Sequence, residues 1–495
     1  TYYDYWWWWW TTRLFTDGFA EFPAFAFILG DPHSHLLNLP FVISFLALVI
    51  LRANETDKRD SSLMRLADWA IPASFLLTTI LLTNVWDFPI MICILLMFTL
   101  AKSYRSKVNL LEAIRSMLFA VFPVITSLVI SIPFLMSLDP PPTGIRLVVG
   151  EHTSPTQLLV FWGPLLTVFF TLGLTTGYYR MSRSSLITMS SVITALAAIW
   201  VMILLFTGNA PELSERSLGW LTLGILLTLL MISLRQVFLG HSSQWVAWSF
   251  MAITLMLLIS TEVFRLDDAF LGRVNSIFKV WFISWVLAAV ASGGICVIAV
   301  QRIFDKDPDE NKLTAYLCGL AVTVVILSST YTFAMIATRS GEMLSKTLDA
   351  TAYVQRDSPM LTTAVRWVHS NLDAREHKLL HTVHESYEPG DQISTLTGIP
   401  TILTWPNHQR QWRSKVQETE RRTAINSIYF SSSVAKVPRR TGVALLLSLQ
   451  PACIAKGAGR ARERGGAAHR TVVRLWASYR LHPLRTTAAG EAGGA

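Results

Sequence analysis

The stretch LLNLPFVISFLALVILRA, residues 36–53, decides the fold class because Arg52 is its only charged residue. An apolar run of this length can cross the hydrocarbon core of a bilayer as an α-helix. Similar runs recur along the 495-residue chain, which is 52% hydrophobic and 15% charged. A soluble protein would be about 25% charged. The sequence therefore predicts an all-α polytopic membrane protein.

About ten transmembrane helices are predicted from these runs. The second and third are separated only by residues 84–88, which is typical of a helical hairpin or a re-entrant pair. The spans contain few ionisable residues, which argues against an ion-coupled transporter, since such proteins hold the ion at mid-membrane. The spans are expected near 36–53, 69–84, 88–101, 117–138, 158–178, 186–207, 219–234, 245–260, 280–300 and 314–337.

Lys and Arg are distributed unevenly between alternating loops. One set of loops contains more than twice as many basic residues as the other. Because cytoplasmic loops carry the excess of Lys and Arg, the richer set is predicted to face the cytoplasm. The first loop (1–35), the turn at 86–89, the segment 261–279 and everything after about 337 then lie on the extracytoplasmic side of the plasma membrane.

The chain is expected to consist of the first loop, a membrane domain (36–337), a C-terminal region (338–433) and a tail (434–495). The C-terminal region combines an amphipathic helical pattern with Gly/Pro-punctuated segments, which predicts a small mixed α/β extracytoplasmic region. The Arg/Ala/Gly-rich tail is interpreted as a disordered extension or an out-of-frame translation. A basic arm is the alternative, and no nucleic-acid partner is expected.

The chain begins at Thr1 without the pattern of a signal peptide. Its opening run of tyrosines and tryptophans is typical of the aromatic belt at a membrane interface. We therefore expect the sequence to be a fragment that lacks an upstream membrane helix.

The first loop ends in Asp31-Pro32-His33-Ser34-His35. In an extended or turn conformation Asp31, His33 and His35 project to one side. One carboxylate with two imidazoles can bind a divalent metal such as Mg or Mn, or the carboxylate can act as a general base. The alternative is that these residues cap the helix that begins near Leu36.

The segment before the ninth span contains a group of polar side chains that suits a phosphate. If its end is helical, Asn275 and Lys279 share a face at i, i+4, and Arg273 reaches the same headgroup zone. Arg binds phosphate by two hydrogen bonds and Lys as a point charge. The alternative is that the two cations anchor a helix end by snorkelling.

A third polar position is Asp87 in the turn NVWDFP, which Trp86 precedes. A carboxylate at the membrane edge costs free energy unless it is paired. We expect Asp87 either to cap the next helix or to pair with Arg273.

A fourth candidate lies in the C-terminal region. Its polar–aromatic cluster suits contacts with a sugar or a phosphate, and consists of His408, Gln411, Trp412 and Arg413. The alternative is that Trp412 and Arg413 simply stack on each other.

Four motifs, in order, carry a resemblance: EFPAFAFILGDPHSHLLNLPF, TNVWDFP, RVNSIFKVW and HESY followed by STLTGIPTILTWPNHQRQWR. Over residues 6–430 the chain resembles the YYY-domain integral membrane protein family of archaea and chloroflexi. That family is similar in fold to the GT-C glycosyltransferases, which transfer a sugar from a polyprenyl-phosphate donor to an acceptor outside the cytoplasm. The resemblance implies a GT-C-like fold in the lipid bilayer, with an unknown acceptor.

The resemblance also implies a catalytic acidic residue in the first extracytoplasmic loop, with Asp31 the best match and Glu21 the second. Arg273 and Lys279, or a metal on the Asp/His motif, would offset the charge of the leaving phosphate. Two other functions stay open. One is a metal-dependent membrane hydrolase or phosphatase, and the other is a non-catalytic membrane assembly or transport protein.

Overall fold

The computed structural model describes residues 7–15, 18–55, 66–138, 144–148, 152–176, 217–240, 244–268, 272–305, 308–340, 347, 349, 351–380, 392–405, 409, 418–429 and 445–446. The chain divides into two compact units. Unit 1 comprises Thr1–Leu138 and Thr143–Met343, and unit 2 comprises Asp139–Pro142 and Leu344–Ala495. The predicted span 186–207 lies outside the described residues, as does the tail except for Leu445–Leu446.

Unit 1 is helical. Its helices are α1 (Trp7–Trp10), α2 (Pro23–Leu29), α3 (Ser34–Asn54), α4 (Ile71–Thr83), α5 (Asp87–Arg105), α6 (Leu110–Ser137), α7 (Pro155–Thr176), α8 (Ser217–Leu239), α9 (Trp245–Val263), α10 (Val274–Asp305) and α11 (Pro308–Ser340). Within the described residues, eight helices, α3 and α5–α11, are long and apolar enough to cross a membrane. The predicted polytopic all-α membrane fold is confirmed.

The two helices of the hairpin predicted around residues 84–88 differ in length from the prediction. Helix α5 continues to Arg105, beyond the predicted end at 101. Helix α4 is only 13 residues long and is preceded by a one-turn π-helix, Leu66–Ala70. The π-helix lies directly before Pro72, whose ring disfavours a regular α-helix across that point.

The core of unit 1 lies between α7, α8, α9 and α10, which pack against one another, while α3, α4, α5 and α6 form a neighbouring group. Small residues allow the close approach: Ala288 and Ala291 of α10 are fully buried. Gly173 of α7 lies so close to α9 that a Cβ there would come within 2.8 Å of the Trp248 ring. Helix α11 is the least buried span, which suits a lipid-facing position.

The helices alternate in direction, so unit 1 has two ends. We call the end at which α3, α5, α7, α8 and α10 begin the outer end and the opposite end the inner end, after the sides that the loop charges predict. At the outer end the start of α3 bonds to the start of α5, and Gly219 of α8 lies close to His152, which precedes α7. At the inner end α3 and α5 finish: Lys102 donates to the Arg52 carbonyl oxygen (3.0 Å), and Arg105 donates to the Val237 carbonyl oxygen (2.8 Å). These directions agree with the predicted loop alternation.

An antiparallel ribbon lies at the outer end and was not predicted. Strand β1 (Gly144–Leu147) follows α6, and β2 (Phe264–Asp267) follows α9. Backbone groups that leave a helix at the membrane surface need partners, and two adjacent loops supply them to each other. An ion pair between Arg146 and Asp267, 2.8 Å from Nε to Oδ2, crosses the ribbon.

A buried ion pair connects the end of α9 to the residue that precedes α10. Arg273 Nη1 lies 2.7 Å from Glu262 Oε1, and the two residues are only 1% and 2% exposed. The Glu262 carboxylate also accepts from the Thr153 backbone N–H (3.0 Å) and hydroxyl (2.5 Å). His152 Nδ1 lies 3.4 Å from the other carboxylate oxygen. These contacts fix the start of α10 against α9 and against the residues before α7.

Unit 2 contains both helices and strands. Its elements are α12 (Ala352–Asp357), α13 (Pro359–Asn371), β3 (Leu379–Leu380), α14 (Gln392–Thr397), α15 (Glu418–Tyr429) and β4 (Leu445–Leu446). Helix α13 buries Leu361, Ala364 and Val368, the spacing of one helical face. Strands β3 and β4 pair in parallel.

Changing Arg273→Met should destabilise unit 1 strongly, because it leaves the Glu262 carboxylate buried without its cation. Loss of one partner of a buried pair costs about 3–5 kcal/mol. The measurement is the thermal unfolding midpoint of the purified chain in a mild detergent. Arg146→Met, at the exposed ribbon pair, is the matched control and should change the midpoint little.

The double variant Glu262→Leu with Arg273→Met removes both charges and should recover most of the loss. If Arg273→Met is as stable as the Arg146 control, the ion pair does not hold α10 in place.

Candidate functional site

The first loop turns sharply at Gly30, which ends α2. Gly30 has φ 73°, and its N–H donates to the carbonyl oxygens of Ala26 (3.1 Å) and Phe27 (3.2 Å). Only glycine adopts this left-handed conformation without strain, which makes it the usual residue just past a helix end. Helix α3 then begins at Ser34, with His33 as its N-cap residue, two residues earlier than predicted.

The Asp/His motif forms a hydrogen-bonded and stacked group. Asp31 Oδ2 is hydrogen-bonded to His33 Nδ1. The rings of His33 and His35 stack with centroids 5.3 Å apart, and His35 packs edge-on against Phe278 (4.9 Å) and Phe282 (4.3 Å) of α10. His35 is buried, whereas half of the His33 side chain is exposed. The motif therefore connects the first loop to α10.

Glu21 lies at the edge of this group and pairs with Arg13. The carboxylate is 4% exposed, and Arg13 Nη1 lies 3.2 Å from its Oε1. Burial raises the pKa of Glu21, and the charge of Asp31 adds to that rise, whereas Arg13 and His33 oppose it. Arg13 also lies over the Trp9 ring, 3.9 Å from its centroid. An ion pair therefore holds Glu21 within the first loop, where its side chain is more buried than that of Asp31.

Asp87 begins α5 and bonds to α3. Asn38 Nδ2 donates to Asp87 Oδ2 over 2.7 Å, and both side chains are buried. The predicted pairing of Asp87 with Arg273 is wrong. Arg273 pairs with Glu262 instead, and Asp87 accepts a hydrogen bond from the side-chain amide of Asn38, which lies one turn after His35 on α3. The Lys279 ammonium lies 5.0 Å from the centroid of the Trp86 ring and is attracted electrostatically by Asp87.

The predicted phosphate-binding residues separate into two places. Lys279 and Asn275 lie on α10, whose helix includes both residues as expected. Asn275 Nδ2 donates to Asp268 Oδ2, and Asp268 also attracts Lys279. Arg273 lies instead in the buried pair with Glu262. Of the two predicted phosphate-binding cations, Lys279 is therefore the one that lies near the first loop.

We call the group at the outer end of α3, α5 and α10 the outer polar cluster: Asp31, His33, His35, Asn38, Trp86, Asp87 and Lys279. Two of its atoms are buried without a hydrogen-bond partner among the described residues, His35 Nε2 and Asn38 Oδ1. These residues are three apart and share one face of α3. Buried polar atoms without partners are rare and indicate a place where a polar ligand or water binds.

The metal prediction for Asp31, His33 and His35 stays a prediction. Across the part of the chain that is described, no three His, Cys, Asp or Glu side chains converge as metal ligands do. Asp31 bonds to His33, and the two imidazoles stack face to face. The predicted cluster of His408, Gln411, Trp412 and Arg413 lies outside the described residues.

A family model matches residues 1–288, and its description is "Uncharacterized membrane protein (DUF2298)". The match covers more than half of the chain. The chain belongs to this family. No curated protein and no solved structure matches the chain. The whole outer polar cluster and the Glu262–Arg273 pair of this DUF2298 protein lie within the matched range.

Sequence reasoning missed four residues that organise this end of the DUF2298 protein: Asn38, Thr153, Glu262 and Asp268. Asn38 could have been predicted from its spacing, since an amide three residues after His35 in an apolar helix lies on the same face as that histidine. Glu262 could also have been predicted as a site residue, since a carboxylate at the end of an apolar run needs a cation. Thr153 contributes its hydroxyl and its backbone N–H to Glu262, a pairing over 109 residues that no sequence pattern reveals.

The described cavities lie at the opposite, inner end. The most enclosed has a volume of about 70 Å³ and is lined by apolar residues such as Leu95 and Phe98, together with Arg52 and Lys102. None of these three cavities reaches the outer polar cluster. The assignment of the outer end as the candidate site rests on its polar contacts.

Glu21 should make stability fall as pH rises. Because burial raises its pKa above the ordinary value of 4.5, the folded state binds more protons than the unfolded state just above that pH. The stabilisation is complete below the ordinary value and is lost as pH rises through the folded-state pKa. The thermal midpoint of the native chain minus that of Glu21→Gln should therefore decrease with pH.

Glu55→Gln, at the exposed pair of the inner end, is the control. A difference that increased with pH would show that Arg13 outweighs burial and that the pKa of Glu21 is lowered.

Proposed function

We propose that this protein is a membrane glycosyltransferase that transfers a sugar from a polyprenyl-phosphate-linked donor to an extracytoplasmic acceptor. The proposal includes membership of the YYY-domain family and a GT-C-like fold. One observation carries it: a carboxylate–imidazole pair, an aromatic ring and an ammonium group meet at one end of a polytopic membrane protein. These are Asp31 with His33, Trp86 and Lys279.

Asp31 and His33 form the acid–base unit of the proposed reaction. Their hydrogen bond orients one group while the other takes the proton of the acceptor hydroxyl. The acceptor oxygen then bonds to the anomeric carbon of the sugar. The bond from that carbon to the phosphate oxygen breaks, and the polyprenyl phosphate leaves with the electron pair. Glu21 is a second, more buried carboxylate behind this unit.

Lys279 offsets the charge that develops on the leaving phosphate. Its ammonium group lies beside Trp86, and Asn275 lies one turn earlier on α10. Arg273 would act on the phosphate only indirectly, because its guanidinium is paired with Glu262. A Mg or Mn ion on Asp31, His33 and His35 would add to this charge if one binds.

The sugar would lie on the Trp86 ring and bond to buried polar atoms. His35 Nε2 and Asn38 Oδ1 have no hydrogen-bond partner among the residues that the structure describes, and with Asp87 nearby they suit the closely spaced hydroxyls of a sugar. The C-terminal residues His408, Gln411, Trp412 and Arg413 lie outside the described residues and stay predicted sugar or phosphate contacts. The lipid tail of the donor would lie between spans that contain few charges.

The proposed location is the plasma membrane, with the outer end and the C-terminal region outside the cytoplasm. The support is the distribution of charge: Arg52, Lys102 and Arg105 lie together at the inner end, and cytoplasmic ends are the basic ones. A polyprenyl-phosphate donor presented in the outer leaflet would then meet the outer polar cluster.

Hydrolysis is the second candidate function. The His33 side chain is 52% exposed, so water can reach the imidazole that Asp31 orients. The same pair would then activate water in a membrane hydrolase or phosphatase, with or without a metal.

The test uses membranes that contain the full chain, radiolabelled polyprenyl-phosphate hexoses and a membrane fraction as the acceptor source. Asp31→Asn and His33→Gln should each lower sugar transfer by about 10²–10⁴-fold, the contribution of a general base. Asp267→Asn, a carboxylate of similar exposure at the same end, is the control and should retain transfer.

Label released into water by the native chain would favour the hydrolase. Equal rates for all variants, or no conversion of any donor, would contradict an enzymatic role and leave a non-catalytic membrane protein.

A further inference from the structure

The inner end of unit 1 contains basic residues that the proposed function does not use. Here α3 and α5 end, α6 and α9 begin, and α8 ends. Three adjacent cavities of about 70, 420 and 600 Å³ open among these helix ends. Lys102 and Ser106 line the first two, and Arg105 lines the second and third. The three cavities therefore lie side by side, and we call them together the recess.

The described residues that line the recess carry more positive than negative charge. Four of them are cations, Arg52, Lys102, Arg105 and Lys107, and one, Glu55, is a carboxylate. Glu55 Oε2 is paired with Arg52 Nη1 at 2.7 Å. Lys102 donates to the backbone carbonyl oxygens of Arg52 and Glu55, and Arg105 donates to those of Val237 and Gly240. These bonds hold both cations at the helix ends that line the recess.

The backbone at Lys107 adds an independent observation. Lys107 has φ 51°, and is the one non-glycine residue of the described chain in the left-handed region. It lies just past the end of α5, where its N–H bonds to the Tyr104 carbonyl oxygen (3.1 Å). Glycine is the usual residue at such a position, so a lysine there is strained. The strain is understandable if the ammonium is needed at the mouth of the recess.

The aromatic and apolar residues around the recess are typical of a site that binds a lipid headgroup. Arg105 lies 6.0 Å from the centroid of the Trp245 ring, and Tyr104 packs edge-on against Phe238 at 5.2 Å. Tryptophan and tyrosine of membrane proteins concentrate at headgroup depth. The wall of the innermost cavity is apolar, with Leu95 and Phe98 among its residues. Charge at the rim and hydrocarbon behind it match a phospholipid better than a free anion.

We propose that this recess binds an anionic phospholipid, whose phosphate contacts Arg105, Arg52 and Lys107 while its glycerol and first methylenes enter the apolar cavity. Anionic lipids attract clustered Lys and Arg at the cytoplasmic surface of a membrane, the side on which the loop charges put this end. The bound lipid would brace the ends of α3, α5 and α8. The proposal does not depend on glycosyltransferase activity.

The test measures the thermal unfolding midpoint of the full chain in neutral detergent against added lipid. Phosphatidylglycerol should raise the midpoint of the native chain, and phosphatidylcholine should not. Lys107→Gln and Arg52→Gln should each weaken the apparent affinity for phosphatidylglycerol about fivefold, the worth of one cation near the surface. Lys102 and Arg105 each bridge the ends of two helices through their hydrogen bonds, and so these two residues are left unchanged.

Arg146→Gln, an exposed arginine of the outer end, is the matched control and should retain the native affinity. The proposal is overturned if phosphatidylcholine stabilises as well as phosphatidylglycerol, or if both inner-end variants behave like the control. An equal shift with inorganic phosphate alone would also overturn it, since it would indicate a free-anion site.

Discussion

The ion pair between Glu262 and Arg273 is the contact on which the outer end depends. Two charges removed from water must be matched with close geometry, and these two meet at 2.7 Å with Thr153 satisfying the rest of the carboxylate. The pair sets the point at which α10 begins. Helix α10 then carries Phe278 to His35 and Lys279 to Trp86, so the ion pair helps to position the proposed phosphate contact beside the first loop and the start of α5.

A bilayer imposes different demands on the two ends of the protein. At the outer end, buried carboxylate, imidazole and amide groups lie together, and within the described part of the chain a few of their atoms, such as His35 Nε2, have no hydrogen-bond partner. At the inner end, Lys102 and Arg105 bond to backbone carbonyl oxygens at the ends of neighbouring helices. The first arrangement suits the recognition of a polar substrate, and the second suits the attraction of an anionic surface.

Most of the fold could be predicted because apolar length and loop charge are properties of the sequence itself. The long helices and their alternating directions follow from those two signals. The β1–β2 ribbon, the partner of Asp87 and the partner of Arg273 could not be predicted, because each depends on which loops become neighbours. Asp87 bonds to Asn38, and Arg273 pairs with Glu262 at the end of the preceding helix.

Cysteine cross-linking in membranes tests most directly whether the start of α5 and the start of α10 meet. Trp86→Cys and Lys279→Cys would be combined in a chain whose native cysteines are serine and whose 177–216 segment contains a protease site. A short thiol-specific linker should join the two halves, so that they stay together after cleavage. The account is contradicted if this pair fails to cross-link while Trp86→Cys with Val300→Cys, at the far end of α10, succeeds.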